Sequence, residues 1–99
     1  MFELDARLAA DTYFVGKTAL CRLLLMNDAR FPWLILVPEV AGISEPFDLG
    51  EYDQRALWRE SMCLSSFLKD HYQADKLNIA ALGNQVAQLH LHHLSLIHI

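Results

Sequence analysis

Hydrophobic positions follow two rhythms along this chain. From Thr12 the segment "TYFVGKTALCRLLLMND" is rich in strand formers: Thr12, Tyr13, Phe14 and Val15, then Leu20, Leu23, Leu24 and Leu25. It predicts two strands meeting at a turn around Gly16–Lys17. "NDARFP", Asn27 to Pro32, is turn chemistry. "WLILVP" is a continuous apolar run stopped by Pro38, the pattern of a strand buried on both faces. The rhythm then lengthens. Leu57, Leu64, Phe67 or Leu68, and Tyr72 recur at helical spacing, with Asp53, Arg55, Arg59, Glu60, Lys69 and Asp70 on the other side. These positions predict one amphipathic helix from about Leu49 to about Tyr72, opened by Asp48 and Glu51 as a capping box. "KLNIAAL" reads as a strand, "GNQVA" as a loop and "QLHLHHLSLIHI" as a final strand. Asp5 starts a short helical turn within "MFELDARLAAD". The order β-β-β-α-β-β with short links predicts an α+β domain, an antiparallel sheet with one long helix packed on it.

Length and composition sharpen this picture. The 99 residues suffice for one domain, and no repeat or linker divides residues 1–99. A hydrophobic content of 54% argues against disorder. It also leaves apolar surface for a partner subunit or for a further piece of the same domain. The formal charge is −4, from 12 acids against 8 bases, and no two bases are adjacent. Gripping a nucleic-acid backbone by charge is therefore not expected, whereas a small phosphorylated ligand held by a few groups is compatible. Cys21 and Cys63 read as buried free thiols of a reducing cytoplasm. Acids occupy the start of the chain where a signal peptide needs cations, and Arg22 breaks an apolar run too short to cross a bilayer. The expectation is a soluble cytoplasmic protein with no membrane partner.

The candidate chemistry lies in the last strand. Alternate residues of a strand share a face, so His90 and His92 point one way and His93 the other. The Cα atoms of His90 and His92 are expected roughly 6.6 Å apart, so both imidazoles could reach one ligand. His98 lies roughly 26 Å from His90 along an extended strand and cannot join them. A zinc site would need a further ligand, such as His71 or an acid, and the spacing singles out none. Structural, metal-binding and catalytic roles all fit paired strand histidines.

"WLILVPEVAGISEPFDL" and "KLNIAALGNQVAQLHLH" together resemble the histidine triad (HIT) family, nucleotide hydrolases and transferases named for a His-φ-His-φ-His-φ-φ strand. The former segment is similar to that family's strand, Pro and loop leading to its long helix. The latter resembles its Asn-bearing strand, Gly-containing loop and histidine strand. "NDARFPWLILVP" with "LNIAALGN" is similar to a bacterial HIT-like branch.

The resemblance implies a two-step displacement at the α-phosphorus of a nucleotide derivative, without a cofactor or metal. The middle motif histidine, here His92, attacks to give a nucleotidyl-histidine that water resolves. A neutral imidazole is a competent nucleophile when an acceptor fixes its tautomer. His90 matches the first motif histidine, which orients the site and binds phosphate. Asn78 matches a phosphate-contacting asparagine, and Gly83 and Asn84 a loop that offers backbone N–H groups. Gln88 shares the parity of His90 and is expected to face the site. Asn27 or Asp28 lies near the ribose-contacting position. A homodimer is also implied, built around the helix and the sheet edge.

Three positions depart from the family pattern. Leu94 stands at the third motif histidine, Trp33 at a separate upstream histidine, and Ala87 where serine or threonine is usual. These changes weaken phosphate contact and leave leaving-group protonation open. The tail, residues 93–99, does not resemble the family's continuation, so the C-terminal part of the domain is expected to be missing. Two alternatives accompany the enzyme: a catalytically weak nucleotide-binding or dimeric interaction module, and a metal-binding β domain using His90 and His92.

Overall fold

The computed structural model describes residues 1–97. A six-residue helix α1 (Ala6–Asp11) is followed by β1 (Thr12–Lys17), β2 (Cys21–Met26) and β3 (Trp33–Pro38). A short 3-10 turn (Pro46–Asp48) leads into α2 (Glu51–Tyr72), and β4 (Lys76–Ala81) and β5 (Leu91–Leu96) close the fold. The strands form one antiparallel sheet in the order β1-β2-β3-β5-β4. The element order matches the expected β-β-β-α-β-β, preceded by the helix that Asp5 caps through a 2.8 Å bond from the Arg7 amide. No helix among the described residues is long and apolar enough to cross a membrane.

Three local expectations shift. The first hairpin does not turn at Gly16–Lys17: Lys17 still pairs with Arg22, and the pairing skips Val15, between Phe14 and Gly16, as a bulge. The chain reverses at Thr18–Leu20, where the Thr18 hydroxyl accepts the Cys21 amide at 2.8 Å. The Glu60 carboxylate of α2 holds the same turn through the Thr18 hydroxyl and, at 3.0 Å, the Leu20 amide. Asp48 does not cap α2. Its carboxylate accepts the amides of Ser44 and Glu45 at 3.2 and 3.0 Å, closing the 3-10 turn, and Gly50 is the N-cap of α2. These contacts hold the Asp48 carboxyl below its ordinary value, led by the Glu45 amide. Cys63 is exposed, not buried. Cys21 is buried, and that burial, followed by Glu60, pushes its thiol up, so it stays an uncharged core group.

The sheet is covered on both sides. Leu36, Cys21, Leu49, Leu57 and Leu89 pack on one side with Leu64 of α2. Leu24, Ile35 and Val37 pack on the other, beneath Leu8 of α1 and Val86 of the β4–β5 loop. Ile35, Leu36 and Val37 are all buried although they alternate between faces, as the unbroken apolar run requires. On α2 the inward residues are Ala56, Leu57, Ser61 and Leu68, while Phe67 and Tyr72 are exposed. The helix stops at Gln73, which adopts the left-handed conformation (φ 55°).

Candidate active site

β5 lies between β3 and β4, and its register places the histidines. His92 is opposite Ile35 on one neighbour and Ala80 on the other, while His93 is opposite Leu34 and Ile79. The period of two turns His93 toward α2, where its Nε2 meets the Ser61 hydroxyl at 2.7 Å in a fully buried contact. His92 turns to the other face. His90, just before the strand, joins it there: the two imidazoles meet edge to face with centroids 4.7 Å apart. His98 lies outside the described residues.

The two rings line a cleft of about 340 Å³. That is within the usual range for a small-molecule site, roughly 300–1,000 Å³. Leu8, Met26, Trp33, Leu82 and Val86 supply apolar wall, and Arg7, Asp11, Asn84 and Gln85 supply polar groups. Arg7 donates to the Gln85 carboxamide oxygen at 3.4 Å, so the cation of α1 is tied to the β4–β5 loop.

Each histidine has a fixed partner. His90 Nδ1 lies 2.7 Å from the Gln88 carbonyl oxygen. Trp33 Nε1–H donates to His92 Nδ1 at 2.9 Å, the rings tilted by 50°. Trp33 reaches His92 because it is opposite Leu94, one same-face step from the Ile35–His92 pair. Burial first, then the neighbouring His90 and His93, lower His92 from 6.5 to about 4. His92 is therefore neutral at pH 7. The site thus offers two imidazoles and a guanidinium beside apolar walls that can cover a flat ring.

The residues singled out in the sequence are placed unequally. His90, His92 and Asn84 line the cleft, while Gly83, Asn78, Gln88 and Asn27 do not. Asn78 is opposite Leu94, so register puts it on the His92 face, but it is exposed toward the far end of β4. The Gln88 side chain is occupied elsewhere, accepting the Asp5 amide and donating to the Glu3 carbonyl, both at 2.8 Å. The backbone amide of Asn27 donates to the Asp11 carbonyl at 3.0 Å, closing the chain around α1. Asp28 is paired with Arg30, whose side chain, then backbone, holds that carboxyl down to about 2. Arg7, Asp11 and Gln85 carried no signal, since nothing in their spacing ties α1 to residues 84–92. Among the described residues, no group of three or more His, Cys, Asp or Glu side chains is arranged to hold a metal ion.

Residues 7–98 match the HIT domain family. The fold is also that of crystallised histidine triad proteins from bacteria. One from Marinobacter aquaeolei VT8 is 50% identical with a TM-score of 0.97, over 98% of this chain and 71% of that one. Another from Sinorhizobium meliloti 1021 is 46% identical with a TM-score of 0.96, over 98% and 72%. A third from Bradyrhizobium japonicum is 43% identical with a TM-score of 0.95, over 97% and 72%. No curated protein matches the chain.

Proposed function

Because this chain belongs to the histidine triad family, we propose that it cleaves nucleotide derivatives at their α-phosphorus through a nucleotidyl-histidine intermediate. The leaving group is the amine of a phosphoramidate or the phosphate of an anhydride. His90 and His92 are the catalytic pair, and the cleft walls take the nucleoside. The observation that carries this reading is the pair itself: two imidazoles 4.7 Å apart, edge to face, in a cleft large enough for a nucleotide.

Elementary chemistry supports the assignment. A neutral imidazole attacks phosphorus without prior deprotonation, and an acceptor on its remaining N–H stabilises the cation that forms. Arg7, brought to the cleft by α1, is the cation suited to phosphate, because its planar fork matches two oxygens at once. Asn84 and the adjoining Gly83 form the loop that borders the phosphate, and Asn78 lies on the same sheet face further out. Gln88 and Asn27 act indirectly, by fastening the segments that carry Arg7 and Asp11. No cofactor enters this scheme.

A cytoplasmic homodimer completes the proposal. Trp58 and Phe67 of α2 are 62% and 52% exposed, an apolar surface that association would cover.

Intact-mass spectrometry after brief incubation with adenosine phosphoramidate tests the reaction class. A transient adenylyl mass is expected on the parent and none on the double variant His90→Ala/His92→Ala. A folded parent that binds AMP but never carries the adduct would instead be a binding module.

A further inference from the structure

Arg7 and Gln85 reach the cleft from two separate segments, α1 and the loop between β4 and β5. Both are exposed, yet each adjoins a core residue: Leu8 and Val86 are buried in one cluster and line the cleft themselves. The backbone around α1 is fastened at both ends, by the Gln88 side chain at Asp5 and by the Asn27 amide at the Asp11 carbonyl. The two side chains therefore stand on fixed supports. What joins them is one bond, from Arg7 Nη1–H to the Gln85 carboxamide oxygen at 3.4 Å.

That bond occupies little of the guanidinium. Of its five N–H groups one is engaged, and the edge formed by Nε–H and Nη2–H has no partner among the described residues. No carboxylate among them pairs with Arg7, although Asp11 stands four positions along the chain and lines the same cleft. The positive charge is uncancelled, and its tether is a neutral oxygen.

We propose that Gln85 is a positioning residue that holds Arg7 at the cleft with its Nε–Nη2 edge free, so that the pair selects nucleotides over nucleosides by their phosphate. The proposal rests on the nucleotide reading given above. Two parallel N–H groups match two oxygens of one phosphate. An arginine without a tether loses more rotamer freedom when it grips an anion, and a bond made beforehand removes part of that cost. An amide does this without neutralising the cation, whereas a carboxylate at position 85 would cancel the charge it orients. The apolar walls, Leu8, Met26, Leu82 and Val86, meet a nucleoside and its nucleotide alike. Only the phosphate engages the pair, so the ratio of adenosine to AMP affinity reads the pair apart from the walls.

Calorimetric titration of the full chain with AMP and with adenosine, at one fixed salt concentration, tests this. The parent should bind AMP more tightly than adenosine. Arg7→Ala should weaken AMP by about tenfold to a hundredfold, the scale of charge-assisted bonds, and leave adenosine unchanged. Gln85→Ala should weaken AMP by about threefold, since the tether is one long neutral bond, and again spare adenosine. Added to Arg7→Ala, it should have no further effect, because Gln85 acts through Arg7. Gln85→Glu keeps a tether but cancels the charge, so it should weaken AMP more than Gln85→Ala does.

Each failure has its own signature. Equal losses for AMP and adenosine in Gln85→Ala would make the contact merely structural and overturn the proposal. So would losses that add in the double variant, or a Gln85→Ala chain that binds AMP as the parent does. A parent that takes adenosine as tightly as AMP removes Arg7 from phosphate recognition. A folded parent that binds neither ligand overturns the nucleotide reading itself.

Discussion

The carboxamide of Gln88 accepts the backbone N–H of Asp5 at 2.8 Å, joining positions 83 residues apart in the chain. The same side chain donates to the Glu3 carbonyl at 2.8 Å, so one residue fastens the N-terminal segment across the sheet. That segment leads into α1, which brings Arg7, Leu8 and Asp11 to the cleft. Gln88→Ala should therefore loosen the first eleven residues without touching either imidazole. A loss of about 1–2 kcal/mol is expected from the two bonds. Hydrogen exchange should accelerate at residues 3–11 and stay slow in β3 and β5, and AMP affinity should fall. Unchanged protection in that segment would show that Gln88 is not its anchor.

Much of this was legible because period is a local property. The apolar run of β3, the helical spacing of α2 and the shared parity of His90 and His92 follow from the sequence alone, and the structure keeps all three. What was not legible depends on a third element. Parity put Gln88 beside His90, but the chain is not in a regular strand at either residue, and the Asp5 and Glu3 backbone groups capture its side chain. Trp33 read as a departure from a motif. Its contact with His92 needs the β3–β5 register, which no single segment encodes. The Gly16 turn failed similarly, since the Glu60 carboxylate that stabilises the true reversal belongs to α2, 40 residues from Leu20.

Glu60 provides a further prediction. Its two carboxylate oxygens take the Thr18 hydroxyl and the Leu20 amide, so it joins α2 to the β1–β2 turn. Glu60→Ala leaves those donors without their partner and should destabilise the fold by about 1–3 kcal/mol. Urea unfolding should show a lower midpoint with an unchanged slope. The cleft is on the other sheet face, so the imidazole NMR signals of His90 and His92 should not move. A midpoint equal to that of the parent would remove Glu60 from the structural role assigned here.

The apolar face of α2 supplies a third. Trp58 is 62% exposed on a helix whose inward residues are Ala56, Leu57, Ser61 and Leu68. Substituting Trp58→Asp costs little in a monomer, because the side chain touches little of the core. It costs much in a dimer that buries this face, since an unpaired carboxylate would be desolvated. Sedimentation velocity should show a concentration-dependent dimer for the parent and a monomer for Trp58→Asp, with unchanged circular dichroism. A parent that stays monomeric at high concentration would leave the helix face without the proposed partner.

The last prediction concerns acid. Burial is the first cause lowering His92 from its ordinary 6.5 to about 4, followed by His90 and His93. Burial likewise lowers His93. In the unfolded chain both rings take up protons near their ordinary value, while the folded chain refuses them until lower pH. Between those limits the unfolded state binds more protons, so stability rises with pH there. His92 therefore contributes nothing adverse above about pH 6.5. Its penalty grows as pH falls from 6.5 toward 4, where the folded-state ring begins to titrate. The loss attributable to this ring is on the order of 2 kcal/mol, and His93 adds to it in the same sense. Urea midpoints measured from pH 7.5 to 4.5 should decline across this window, and less steeply in His92→Phe, which keeps a ring in place without a basic nitrogen. Equal slopes for parent and variant would mean that His92 does not carry the acid sensitivity.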